Sequence, residues 1–326
     1  MTISSAPAAS RLSFLDATTA RAEESAHRQR VERLTADHLA RRTRGERHPV
    51  WDFMFNYYPV TPGKLAHWHP GALRGIVADE RLYLARAATA QKQTRWLPQY
   101  KDHYRWRDVS GETVWGLDAD RHWNARGTTI RYIYDLLIRT LHRAPQLGCF
   151  GLHEWAMVYR DQPRHPEPLR LGTDGTNKVV EQSHLKCTHY DAFRFFTPAA
   201  IPRNEHTPTR DSQRDFEQPG CLHATMDVYK WATKLGPLIP GHLWLDCFEL
   251  ACDVRQLDME ASPYDLSAWG FSPVKIETPQ GRAEYVRRQQ ALMDRGQSLR
   301  TQIIDLLVAV YPEFENANQP DSAQLP

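Results

Sequence analysis

Apolar residues recur at helical spacing over most of the chain and cluster in a strand-like way over only one stretch. Ile130, Ile133, Tyr134, Leu137 and Leu141 fall three or four apart, which predicts a core helix over 128–142, ended by Pro145 and Gly148. The same criterion predicts helices at 222–235, 240–259 and 281–310, the last interrupted near Gly296. Residues 12–44 alternate charged positions with a thin apolar set including Leu34 and Leu39, the pattern of one long, mostly exposed helix. The aromatic run from His48 to Tyr58 predicts a short buried helix with Pro49 at its first position.

Residues 77–84 and 104–115 are instead rich in aromatic and β-branched side chains around Ser110 and Gly111, so a small strand-containing lobe is expected at about 72–123. The fold class is therefore mainly α with a minority of β (α+β). It is expected as a single compact helical body over 12–320 carrying that lobe, after a Ser/Ala-rich tail at 1–11 that is expected to be disordered. Residues 198–217 form a polar, proline-bearing connector suited to a lid or substrate loop.

The composition changes this picture little. Across 326 residues, 41% are hydrophobic and 25% charged, which suffices for a large core. A net charge of +2 does not by itself announce a nucleic-acid binder, although the basic cluster at 41–47 could meet phosphate or simply complement a helix C-terminus. Five cysteines without a CxxC pair argue against a disulfide scaffold. No secretory signal or membrane-length apolar run is legible, and a cytoplasmic location is expected.

Three blocks combine histidine, carboxylate and aromatic side chains, and are expected to share one site. In the first, His153 and Glu154 lie in an apolar stretch with Trp155, where burial should raise the carboxylate pKa unless a partner compensates. An HExxH zinc motif is ruled out because Met157 stands where the second histidine is needed. The second block carries His184, Lys186, Cys187 and His189 at spacings open to metal ligation, then Tyr190, Asp191, Phe193, Arg194, Phe195 and Phe196. In the third, His223, Asp227 and Lys230 recur at i, i+4 and i+7 on one helix stripe beside Leu222, Met226 and Tyr229. His67 and His69 flank Trp68 before a Pro-Gly turn. Asp246, Glu249 and Asp253 form a solvated acidic stripe, and Asp258, Ser262, Tyr264 and Asp265 have the look of structural capping residues.

Several longer words resemble those of a known family: His-Pro-Val-Trp-Asp-Phe at 48–53, Trp-His-Pro-Gly at 68–71, the run 148–160 around His153, the run 191–200 from Asp191, the run 217–223 ending at His223, and Ala-Ser-Pro-Tyr-Asp-Leu at 261–266. The family is bacterial, largely actinobacterial, and carries the label 3-methyladenine DNA glycosylase. The likeness runs from about residue 30 to about residue 310 and is weakest over 72–123. It implies hydrolysis of the N-glycosidic bond of an alkylated purine in DNA, with the base flipped into an aromatic pocket and a carboxylate assisting. Neither a helix-hairpin-helix with a Gly/Pro-rich loop nor a HEAT-like repeat is legible.

Two readings follow. In the glycosylase reading, without a cofactor, Asp191, Glu154 or Asp227 is the catalytic carboxylate. Trp155, Tyr190, Phe193 and Phe195 hold the base, and Lys186, Arg194 and Lys230 meet phosphates of the DNA partner. The alternative is a metal-dependent oxygenase or hydrolase acting on a small molecule. Its ligands for iron, zinc, copper or manganese come from His153, Glu154, His184, His189, His223 and Asp227.

Overall fold

The computed structural model describes residues 12–77, 102–109 and 111–317, and these are mainly helical with a minority of strand. Strand β1 (Ser13–Leu15) leads into helix α1 (Ala17–Thr43); two one-turn helices, α2 (Phe53–Asn56) and α3 (Pro62–Leu65), precede strand β2 (Arg74–Val77). Strands β3 (Tyr104–Val109) and β4 (Glu112–Leu117) come next, then the long helix α4 (Ala119–His142). Helices α5 (Leu152–Ala156), α6 (Gly172–Glu181), α7 (Tyr190–Phe193) and α8 (Gln213–Phe216) are short. The long helices α9 (Leu222–Leu235), α10 (Gly241–Glu260) and α11 (Pro279–Val310) follow, and α12 (Glu313–Ala317) ends the described chain.

Helix α9 is the centre of the helical body and packs against α4, α10 and α11, while α11 also touches α4 and α10. The sheet order is β1-β2-β4-β3, with β1 parallel to β2 and the other pairs antiparallel. One buried cluster joins the sheet to the helices: it contains Leu15, Ile76, Tyr104 and Leu117 together with Leu136, Tyr229, Leu250, Ile303 and Phe314. The strands therefore rest on the same core as the helical body.

Several expectations change. The long N-terminal helix begins only at Ala17, because Asp16 caps it by accepting the N–H groups of Thr18 and Thr19, and Ser13–Leu15 pairs with β2 instead. Its inner face includes Leu34, which packs against the core, but not Leu39. Ala20, His27, Val31, Thr35 and His38 are buried and Leu39 is exposed, with the two histidines bonded to Leu65 O at 2.9 Å and Asp52 at 3.0 Å. The aromatic run is helical only over Phe53–Asn56, because the Asp52 carboxylate turns back onto His48 N at 2.9 Å and Pro49 lies in a turn. The core helix predicted over 128–142 starts earlier, at Ala119, where the Asp118 side chain accepts Arg121 N.

Helix α11 is not interrupted at Gly296. A Cβ there would stand 2.8 Å from Cγ2 of Thr225 on α9, so the glycine serves helix-helix approach rather than a break. The tail at 1–11 and the strand expected over 77–84 lie outside the described residues beyond Val77. The connector at 198–217 is tied down in its first half, where the Asn204 side chain bonds Cys187 N at 2.8 Å and Cys187 O at 2.9 Å.

Candidate functional site

Local chain geometry turns the three blocks inward. Phe150 and Gly151 are both left-handed, at φ +47° and +69°, and this reversal starts α5 with His153 and Glu154 facing the core. A non-glycine residue in that region carries a strain of about 1 kcal/mol, which packing must hold. The chain then passes Gln218, whose Oε1 accepts both Gln146 N (2.8 Å) and Gly220 N (2.7 Å), so Glu217 is fixed pointing inward just ahead of α9. Helix α9 presents His223 and Asp227 one turn apart.

These residues form a line of imidazoles with a carboxylate group at each end. The His153 and His223 ring centroids are 4.3 Å apart and nearly perpendicular; His223 and His189 are 5.2 Å apart and nearly stacked. At one end, His153 Nε2 lies 2.9 Å from Asp258 Oδ1, a buried ion pair. Arg255 supports this end from behind, its Nη1 bonding Asp258 at 3.0 Å and Glu154 at 3.4 Å. At the other end, His189 Nε2 lies 3.4 Å from Glu217 Oε1 and 3.3 Å from Asp227 Oδ2, an ion pair shared between two carboxylates. Lys230 then bridges Asp227 (2.8 Å) to Asp191 (2.7 Å), and Arg194 meets Asp191 at 3.1 Å.

The charges are set by burial against these contacts. Burial disfavours a cation at His153, but the Asp258 carboxylate outweighs it and the pKa rises. Burial is likewise outweighed at His189 by Asp227 and Glu217, which push it up to about 9. His223, between two such rings, is held far below its ordinary value by burial and by the His153 charge. Burial opposes ionisation of Asp227 and Asp258, yet Lys230 for the one and His153 for the other keep both carboxyls well below the usual range.

Ligand atoms of His153, His223 and Asp258 all lie within 4.8 Å of one another, as do those of His189, Glu217 and Asp227. Either set could hold a metal ion. Beside the first is a cavity lined by His153, His223, Cys149, Cys187, Thr188 and Gln218. The space in it that admits the centre of a water molecule is about 20 Å³, room for about one water.

The structure separates the other expected site residues. His184 and Lys186 do not join the imidazole line. The segment is extended and buries Leu185, Cys187, Thr188 and His189, while His184 and Lys186 reach Glu205 at 3.3 and 3.5 Å. Lys186 lines the cavity and stands apart from Lys230 and Arg194. Trp155 has no free face: it is fully buried and its indole N–H donates to Ala261 O at 2.9 Å. Phe193 is also buried, against Phe196 at 5.1 Å. Tyr190 and Phe195 stay half-buried, with Arg210 over Tyr190 at 5.6 Å and Arg194 and Arg164 over Phe195 at 4.1 and 5.9 Å.

Three residues in the line escape the sequence reading. Asp258 is not a cap but a buried side chain of α10. It lies four residues beyond Val254 and seven beyond Ala251, on the apolar stripe, and a carboxylate in that register was the available signal. Arg255, its buried counter-ion, follows from the same argument. Glu217 sits in irregular chain where no periodicity marks it. The acidic stripe on α10 is at the surface as expected, with Arg30 on Asp246 and Glu249 and Arg295 on Asp253.

No described helix is long and apolar enough to cross a membrane. No protein-family model, curated protein or solved structure matches the chain.

Proposed function

We propose that the chain is a metal-dependent enzyme acting on a small molecule, with His153, His223 and Asp258 as the metal ligands. The observation that carries this reading is the convergence of His153, His223 and Asp258, whose ligand atoms all lie within 4.8 Å of one another, with His153 Nε2 2.9 Å from Asp258 Oδ1. Without a metal His153 and Asp258 form a buried ion pair; a cation that displaces the imidazole proton would be held by both. Two histidines and one carboxylate leave coordination positions open, and a divalent ion there lowers the pKa of bound water and polarises substrate oxygen. Arg255 orients Asp258 in the manner of an outer-shell group. Glu154, 3.9 Å from His153 Nε2, is the nearest further carboxylate and the one to receive a proton from water. Five unpaired cysteines support a reducing, cytoplasmic setting.

Elemental analysis of the untagged protein tests this directly. Near-stoichiometric iron, zinc, copper or manganese, lost on His153→Gln and on His223→Ala in folded protein, is the expected result. A folded wild type without transition metal after anaerobic reconstitution sinks the reading.

The DNA-glycosylase reading has one observation in its favour. Asp191 is paired with Arg194, and the half-buried rings of Tyr190 and Phe195 carry Arg210, Arg194 and Arg164. Aromatic faces bearing guanidinium groups suit unstacked bases and phosphates. The cavity beside His153 is far smaller than a purine, so base capture there requires an opening movement. Release of alkylated base from DNA, abolished by Asp191→Asn or Glu154→Gln and accompanied by steeply salt-dependent binding, is what this reading requires.

A further inference from the structure

The ligands assigned to the first metal leave the opposite end of the imidazole line unexplained. His189 is fully buried, and its Nδ1 has no hydrogen-bond partner among the described residues. Its Nε2 faces Glu217 Oε1 at 3.4 Å and Asp227 Oδ2 at 3.3 Å, and both carboxylates are buried too. Each carboxylate is held from a different direction. Asp227 is fixed by its place on α9 and by Lys230, and Glu217 by the anchored turn before α9 and by the Gln213 amide, itself held by Tyr132 Oη at 2.9 Å.

With His189 protonated, the cations His189, Lys230 and Arg194 stand against Asp227, Asp191 and Glu217. Lys230 divides its ammonium between Asp227 and Asp191, and Glu217 is met by His189 and by the charge of buried Arg300. Two species can fill the gap between these three atoms: a proton on His189, or a cation that the imidazole and both carboxylates ligate.

We propose that His189, Glu217 and Asp227 form a second divalent-cation site, separate from that of His153, His223 and Asp258. One imidazole and two carboxylates favour manganese, ferrous iron or zinc over softer copper(I). The two sites share no ligand, so the second stands or falls apart from the proposed function. They are nonetheless neighbours, because His223 touches both His153 and His189. Gln213 acts here as a positioning residue for Glu217, and Lys230 for Asp227.

The test is the metal content of the full chain, reconstituted anaerobically with excess manganese(II) or zinc(II), desalted and measured by mass spectrometry. About two equivalents are expected for the wild type, falling to about one in His189→Gln or Glu217→Gln and to about one in His153→Gln. Anomalous difference maps of reconstituted wild-type crystals give the position of each ion, which decides the matter even where a variant fails to fold. A wild type with one equivalent, lost in His153→Gln and kept in His189→Gln, overturns the proposal and leaves a protonated His189. One equivalent lost only in His189→Gln supports this site and removes the first. A protein that takes up no metal overturns both.

Discussion

Gly296 of α11 lies so close to Thr225 of α9 that a Cβ added to it would stand 2.8 Å from the threonine Cγ2. Thr225 is one turn or less from His223 and Asp227, so this contact sets how deeply the helix bearing the site is seated. Alanine gains about 1 kcal/mol over glycine in helix propensity. Overpacking a buried contact costs about 1–3 kcal/mol, and Thr225 is buried with its hydroxyl on Pro219 O at 3.3 Å. The clash should win. Gly296→Ala is expected to lower the melting temperature by roughly 2 °C or more. Adding Thr225→Ser, which removes the contacted methyl, should recover part of the loss. Simple additivity of the two changes would mean that the contact is not the cause.

Acid should destabilise the fold through histidines that must stay neutral. His48 Nδ1 accepts the N–H groups of Val50 and Trp51 at 3.1 and 3.3 Å, a role open only to the unprotonated ring. Burial, with the Arg41 charge, pushes its pKa down to about 4; burial, with His27, pushes His69 down to about 3. Unfolded histidine titrates near 6.5, so between these values the unfolded chain binds more protons. Their contribution is therefore complete above about pH 6.5 and is lost as pH falls toward 4, by up to about 1.4 kcal/mol per pH unit for the buried His69. Urea midpoints measured from about pH 7 to about pH 4.5 check this. His48→Asn, which keeps an acceptor without titrating, should flatten the curve, and an unchanged slope would clear His48.

The sequence shows the site in part, and the boundary between what it reveals and what it hides is physical. Helical period marks α4, α9, α10 and α11, because each lays an apolar stripe on one shared core. It also puts His223 and Asp227 on one face. Asp258 and Arg255 are encoded in the same periodicity, but as charges on an apolar stripe: Asp258, near the end of the predicted helix, reads as capping chemistry, and Arg255 draws no reading. Burial in 184–189 separates His189 from His184 and Lys186, a division legible only once that segment is known to be extended. Glu217 depends on Gln218 gripping Gln146 from 72 residues away in sequence, a relation no local pattern carries. Trp155 and Phe193 fail as base-holding rings for a simpler reason: aromatic residues are as useful to a core as to a pocket.

Arg255 joins His153 in supporting Glu154 and Asp258, and it also lies over the Phe53 ring at 4.2 Å. Arg255→Met should destabilise the metal-free protein by about 3–5 kcal/mol, since it leaves two buried carboxylates with one histidine between them. Arg255→Lys should be milder and still costly, because one nitrogen, Nη1, makes both bonds, and an ammonium in its place is more strongly hydrated and loses the planar stacking on Phe53. Urea unfolding of chelator-treated protein measures both changes. Losses below about 1 kcal/mol for Arg255→Met would show that water already reaches this end of the line.

Lys230 stands against Asp227 where the second cation is proposed, and the two positive charges repel. With its ammonium bonded to Asp191 and Asp227, Lys230 stabilises the metal-free fold, so Lys230→Met should cost about 3 kcal/mol when metal is absent. The same change removes a charge that opposes cation binding. Manganese(II) or zinc(II) should therefore bind the variant at least about tenfold more tightly, a gain of about 1.4 kcal/mol, and restore more of its melting temperature than it adds to the wild type. A His189→Gln background should abolish that extra gain. An equal response to metal in wild type and variant would place the cation out of electrostatic reach of Lys230, and so away from Asp227.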